Sequence, residues 1–290
     1  PIRDVVLGAC IALVAFSLAS SACYIVNDIF DVNVDRQHPR KKKRPIASGA
    51  VSIPLAWGFA AVLAVLGLGS LVLLPPTMAL WTGAAVLAYV VNVFAYSAVT
   101  KHIVIADVIG LSLGFVLRVL GGCAAVGIGP TTWLLNVTFF LAMFLAFGKR
   151  LGERRSLGEH AVQTRGVQAG YTDDMLRLAV VVTGVVSLVT YAGYVQAQSP
   201  KYDQGFNLLW LTILPATYGL LRCIVLLERG TYDDPTELAS SDRPFQLAAL
   251  AFAGWTVVLM VAKHEGMVGV MPVVPPAAGV VVPGVGTAPG

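Results

Sequence analysis

Eight mostly apolar stretches divide this chain, each long enough, or nearly so, to cross the ~30 Å hydrocarbon core that about twenty helical residues span. They lie near 5–26, 51–74, 78–97, 103–126, 131–148, 175–196, 206–227 and 244–262, the fifth being short and open to extension at either end. Their links at Pro75-Pro76 and Gly127–Pro130 are uncharged and turn-like. Charged residues make up 12% of the chain, against about 25% in an ordinary soluble domain, which excludes a pair of soluble domains. The expected fold is therefore all-α: one polytopic transmembrane bundle over 1–266. Residues 267–290, rich in Pro, Gly and Val, are expected to form a disordered or loosely attached tail. The first apolar run leads straight into an acidic cluster, so it reads as a span rather than a cleavable signal peptide. The four cysteines show no CxxC spacing and read as buried small apolar residues.

Alternating the loops puts 27–50, 98–102, 149–174 and 228–243 on one side of the membrane. That side holds 14 of the 20 lysines and arginines, and Arg118, Arg177 and Arg222 lie within spans. By the positive-inside rule it is the cytoplasmic side. The net charge of +4 is gathered in these loops, which does not make a nucleic-acid surface.

The chemistry concentrates in NDIFDVNVDRQHPRKKKRPIASG, Asn27 to Gly49. Asn27, Asp28, Asp31 and Asp35 recur at spacings of three and four and share one helical face. Carboxylates that close repel unless a cation sits among them, and an all-oxygen set suits a hard ion such as Mg2+, which brings phosphate oxygens and water with it. Arg36, Arg40, Lys41, Lys42, Lys43 and Arg44 follow at once, so the pair of features fits a diphosphate at a membrane surface. His38 lies within the strip and is placed to touch phosphate; His102, His160 and His264 have no ligand spacing.

The second loop on this side offers Tyr96, Lys101 and His102, then Asp107 just inside the next span. A charge within a span faces the bundle interior, a partner or a water-filled cavity. Asp107 and Arg118 are eleven residues apart, about 16 Å along a helix, too far to pair directly. Gly110, Gly114, Gly121 and Gly122 of this span would allow close helix packing. The third loop offers Lys149, Arg150 and Glu153 on one helical face, then Tyr171 and Asp173, with Glu153 or Asp173 a candidate second carboxylate. The lysines and arginines also suit simple interfacial anchoring. No GxSxG, Walker A or strand-borne GxGxxG motif is present, which argues against a common-fold hydrolase, an ATP-driven pump and a dinucleotide enzyme.

These residues resemble the signature of the UbiA superfamily of intramembrane prenyltransferases, NDxxDxxxD, here complete as Asn27, Asp28, Asp31 and Asp35. DRxHPxKxxRPIAxG (Asp35 to Gly49), KHxxxxDV (Lys101 to Val108), GFxLRxxxG (Gly114 to Gly121) and GKRxxE (Gly148 to Glu153) are closer to its decaprenyl-phosphate phosphoribosyltransferase branch. Family members have nine helices, and on that pattern this chain begins at the second. Many carry a second DxxxD cluster; KRxxE and YTDD stand in the matching loop here, which argues against an aromatic prenyltransferase.

The resemblance implies a Mg2+-dependent transfer of 5-phosphoribose from phosphoribosyl diphosphate (PRPP) to a polyprenyl (decaprenyl) phosphate, with diphosphate leaving. Asp28, Asp31 and Asp35 would hold Mg2+, with Glu153 facing a cationic ribose. Asn27, Arg36, His38, Lys41, Arg44, Lys101, Arg118, Lys149, Arg150 and Tyr171 would bind substrate. The protein would be integral to the plasma (inner) membrane with its site facing the cytoplasm, a homo-oligomer remaining open. The alternative enzyme moves a prenyl group from a prenyl diphosphate to an aromatic acceptor. A transporter would show pseudo-repeated halves with charges near mid-membrane, and no such repeat is visible.

Overall fold

A computed structural model of the chain describes residues 2–37, 41–157, 166–202, 205–230 and 235–264. His38, Arg40, His160, Arg165 and the expected tail lie outside the described residues. All eight expected spans are found as helices long and apolar enough to cross a membrane. In chain order the helices are α1 (Ile2–Phe30), α2 (Val32–Gln37), α3 (Ile53–Gly69), α4 (Pro76–Ala98), α5 (Ala106–Ala125), α6 (Thr132–Leu157), α7 (Asp173–Ala197), α8 (Ser199–Tyr202), α9 (Ile213–Glu228), α10 (Pro235–Ser241) and α11 (Arg243–His264).

Local chemistry sets the ends. Ser52 and Pro54 open α3, and Pro75 and Pro76 open α4, where a missing N–H costs nothing. Gly127 closes α5 at φ +70°, a left-handed turn that glycine adopts freely. Thr172 caps α7 by accepting the Met175 N–H at 3.1 Å, and Asp173 and Asp174 follow in the positive first turn. One span takes up an extension that the sequence left open, and one departs from expectation. The fifth extends at its C-terminal end, so Lys149 to Arg155 are helical; Leu151, fully buried there, anchors the extra turns. The seventh begins with a 3-10 turn, Leu208–Thr212, before α9, whose first turn tolerates Pro215.

The two largest of four buried apolar cores among the described residues meet where α5 lies against α6. One gathers Phe16, Leu71, Tyr89 and Ala125 around α1, α4 and α5; the other gathers Phe144, Phe147, Leu151, Leu176 and Leu227 around α6, α7 and α9. Helices α1 and α5 approach so closely that a Cβ on Gly121 would stand 2.3 Å from the Phe16 ring, and one on Gly8 would stand 2.4 Å from the Ala125 carbonyl. Gly122, by contrast, faces open space, so its expected packing role is not found. Leu80, Trp81 and Leu250 are about two-thirds exposed, a surface that fits lipid rather than water. Cys10 is on that exterior and is not buried as expected, whereas Cys23 and Cys223 are.

Side-chain ties between helices bring the expected loops together at one end. Asn27 on α1 donates to Ser97 on α4, Arg150 on α6 pairs with Asp107 on α5, and Arg155 on α6 reaches Glu228 on α9. Arg222 on α9 pairs with Asp242 ahead of α11.

Candidate active site

Helix α1 carries the acidic motif past its own end. Asp31 is a turn residue, yet its N–H still bonds the Asn27 carbonyl (2.9 Å), and the Asp35 N–H bonds the Asp31 carbonyl (2.8 Å), so the face continues into α2. Asn27 Nδ2 donates to Ser97 Oγ at 3.0 Å, which fixes the start of the motif against α4. The basic strip then folds back. Arg44 Nη1 donates to Asp28 Oδ1 at 2.7 Å and to Asp35 Oδ2 at 2.8 Å, so two carboxylates converge on one cationic nitrogen. Lys41 Nζ lies 3.8 Å from Asp35 Oδ1. Asp35 is 1% exposed, and its Oδ1 has no hydrogen bond. Asp31 makes no ion pair among the described residues. Arg36 Nε donates to the Ala47 carbonyl at 3.2 Å and holds the returning loop.

These residues fit a hard divalent cation. The donors are carboxylate oxygens, two already surround a positive charge, and a buried oxygen is left without a hydrogen bond, which is costly unless a ligand meets it. Among the described residues no group of three His, Cys, Asp or Glu side chains is preassembled for a metal, because Arg44 occupies the space between Asp28 and Asp35.

A second cluster joins α5, α6 and the 3-10 turn Gly166–Gly170. Asp107, fully buried, accepts from Arg150 Nε at 3.0 Å and from the Tyr171 hydroxyl at 2.6 Å. The Tyr171 hydroxyl also accepts the Ile105 N–H at 2.7 Å. Ile105 has φ +68°, a strained conformation for a β-branched residue, held in place by that bond. Burial first, and then the bond to Asp107, push the Tyr171 hydroxyl well above the usual tyrosine range. Arg150 Nη1 reaches Glu153 Oε2 at 3.3 Å, and Gln168 Nε2 reaches the same oxygen at 3.2 Å.

Two sequence expectations change here. Arg150 is 1% exposed and paired with Asp107 and Glu153, so it is not on an open surface; it holds Glu153, and its Nη2 is left without a hydrogen bond. Tyr171 is 1% exposed and bonded on both sides, so it does not face substrate either; it holds the Ile105 turn. Asp173 is taken up by Arg154. Lys149 and His102 remain exposed, Lys101 is half-buried, and Glu153 keeps a partly exposed carboxylate. Asp107 and Arg118 have separate partners, as their spacing demanded. Gln168 and Tyr89 were not anticipated: both are polar groups whose importance comes only from tertiary neighbours. Tyr89 accepts from Arg118 Nη2 at 2.7 Å and donates to Ser20 Oγ at 3.0 Å.

The chain is 32% identical over 243 residues to the decaprenyl-phosphate phosphoribosyltransferase of Mycobacterium tuberculosis, covering 83% of this chain and 78% of that one. It is 31% identical over 259 residues to the same-named protein of Corynebacterium glutamicum, covering 89% and 76%. The fold matches a UbiA homolog from Archaeoglobus fulgidus, solved with DMAPP and Mg2+, at a TM-score of 0.63 over 88% of both chains and 17% identity. A family model, the UbiA prenyltransferase family, matches residues 3–249, most of the helical bundle. On both the family match and these relatives, the chain is a transferase and belongs to the UbiA prenyltransferase family.

Proposed function

We propose that this protein transfers the 5-phosphoribosyl group of PRPP to the phosphate of a long polyprenyl phosphate, such as decaprenyl phosphate, and releases diphosphate. The observation that carries the reading is the convergence of Asp28 and Asp35 on one cationic nitrogen beside a basic strip, in a chain like the phosphoribosyltransferases over four-fifths of its length. An oxygen of the lipid phosphate attacks ribose C1 as the bond from C1 to the diphosphate oxygen breaks. The attacking phosphate is already an anion, so no general base is needed.

Asp28, Asp31 and Asp35 would hold Mg2+, which when bound offsets charge on the departing diphosphate. The protein's own groups do the rest. Arg44 must release Asp28 and Asp35 for a metal to enter, which frees its guanidinium for phosphate. Arg36, Lys41, Lys101 and Lys149 supply further positive charge for the two phosphorylated substrates, and His38 a further phosphate contact. Asn27, whose amide nitrogen is fixed by Ser97, would orient the neighbouring carboxylate or bind the diphosphate or ribose. Glu153, held by Arg150 and Gln168, favours positive charge developing on the ribose. The basic loops support a cytoplasmic orientation for this end of the bundle, in a plasma (inner) membrane on the family reading, with the polyprenyl tail extending into the bilayer.

The test incubates the purified protein with Mg2+, polyprenyl phosphate and PRPP labelled in the ribose. Label entering the lipid phase only with Mg2+ is the expected result. Absence of transfer from PRPP, with prenyl moving from a prenyl diphosphate to an aromatic acid, would replace this reading with the alternative.

A further inference from the structure

Helix α1 carries more polar residues than the acidic motif. Ser17, Ser20, Ser21 and Tyr24 precede Asn27 and Asp28 at the same three- and four-residue spacing, so one polar stripe runs from the acidic site down into the membrane. Ser20 lies eight residues before Asp28, about 12 Å along the helix. The stripe lines a cavity of about 600 Å³ between α1 and α5, and Arg118 and Gly122 form its opposite wall. Leu13 and Phe16 make its deeper end apolar.

Arg118 is the unusual member. It is half-buried in the middle of a span and pairs with no carboxylate among the described residues. Its contacts are the Tyr89 hydroxyl at 2.7 Å and the faces of the Tyr89 and Phe115 rings, at 4.7 and 5.3 Å from its guanidinium carbon. The guanidinium is thus supported by rings while its remaining donors have no acidic partner among the described residues. Tyr89 in turn donates to Ser20, which ties the arginine to the stripe. Gly122, one turn on, lines the same cavity, and nothing lies within 4 Å of where a Cβ there would stand, so the wall beside it is open. A charge at this depth is costly unless something of opposite sign meets it.

We infer that Arg118, Ser20 and Ser21 form a phosphate-monoester subsite, distinct from the diphosphate end at Asp28, Asp31 and Asp35. The separation decides the ligand class. A single diphosphate cannot reach both ends of the stripe, whereas a substrate with a second phosphate on the far side of a sugar can, and so can a lipid phosphate entering beside it. Both candidate ligands present the same monoester dianion to a planar guanidinium. The inference rests on the transferase reading for the identity of the substrates, and on geometry for the site.

The probes are ribose 5-phosphate for the sugar source and geranyl phosphate for the lipid source, titrated against the purified protein in nanodiscs, with binding read as a rise in melting temperature. At least one probe is expected to bind the wild type and to bind Arg118→Gln about 10- to 100-fold more weakly, with Arg118→Lys recovering part of the loss. Weakening of ribose 5-phosphate alone assigns the donor's 5-phosphate; weakening of geranyl phosphate alone assigns the acceptor. Gly122→Leu fills the cavity without altering charge, and it must weaken the same probe if Arg118→Gln fails to fold. Failure of both probes to bind the wild type, or affinities unchanged in the variants that fold, would overturn the subsite. Binding is read without turnover, so a wild type that binds a probe but moves no label from PRPP overturns the reaction and leaves the subsite standing.

Discussion

Asp107→Ala should expose how far the end of α6 depends on one buried carboxylate. The side chains of Asp107 and Arg150 are 0% and 1% exposed, and their bond is 3.0 Å long. Removing one partner of such a pair leaves a buried charge, a loss of about 3–5 kcal/mol. Glu153 still faces Arg150 at 3.3 Å, which puts the cost near about 3 kcal/mol; the Tyr171 hydroxyl, deprived of its acceptor, adds about 1 kcal/mol. At about 2–4 °C per kcal/mol, the melting temperature should fall on the order of 10 °C. Replacing both charges in Asp107→Ala/Arg150→Met removes the stranded cation, so the double variant should melt above Asp107→Ala, with a coupling of about 2–3 kcal/mol. Thermal unfolding in detergent, followed by tryptophan fluorescence, reads all four members of the cycle. A single variant that melts with the wild type, or a double variant showing only the sum of two independent losses, would refute the pairing as a determinant of this end.

Asp31→Ala should abolish Mg2+-dependent turnover while changing stability by no more than about 0.5 kcal/mol, since Asp31 makes no ion pair among the described residues; normal turnover would sink its metal role. Lys149→Ala should raise the KM of one phosphorylated substrate about tenfold, whereas unchanged KM and kcat would return it to interfacial anchoring. The acid limb of stability should contain an Asp242 component. The Arg222 guanidinium, with the Phe245 N–H assisting, holds the Asp242 carboxyl below the usual carboxylate range against the opposing effect of burial. A depressed folded value contributes stability above the unfolded pKa of about 3.9, lost as pH falls through the folded value. Melting curves between pH 6 and about pH 3 should therefore fall less steeply for Asp242→Asn than for wild type, and parallel curves would contradict this.

The spans were legible because lipid imposes a length and a polarity that local sequence must satisfy by itself. Pro75-Pro76 and Gly127 fixed two links for the same reason: their constraint is in their own backbones. The sequence left the fifth span open to extension but did not say at which end or how far, since Lys149 to Arg155 is as hydrophilic as any surface loop. Its helical state depends on Leu151 burying against α7 and on Asp107 receiving Arg150, both contacts made across the fold.

The same limit explains which site residues sequence could place. Asn27, Asp28, Asp31 and Asp35 lie within nine residues, so helix geometry alone puts them on one face. Arg150 and Lys149 are adjacent and chemically alike, yet one is buried in a salt bridge and the other is exposed; adjacent helical positions point about 100° apart, and only the packing of α5 says which direction is inward. Arg118 shows the converse. Its position inside a span demanded an explanation from sequence, but the aromatic support from Tyr89 comes from 29 residues away, and the serine stripe opposite it comes from another helix. A charge pattern therefore marks where polar chemistry must occur in a membrane protein, while the division between groups that hold the framework and groups left to meet a ligand is settled by what the neighbouring helices have already neutralised.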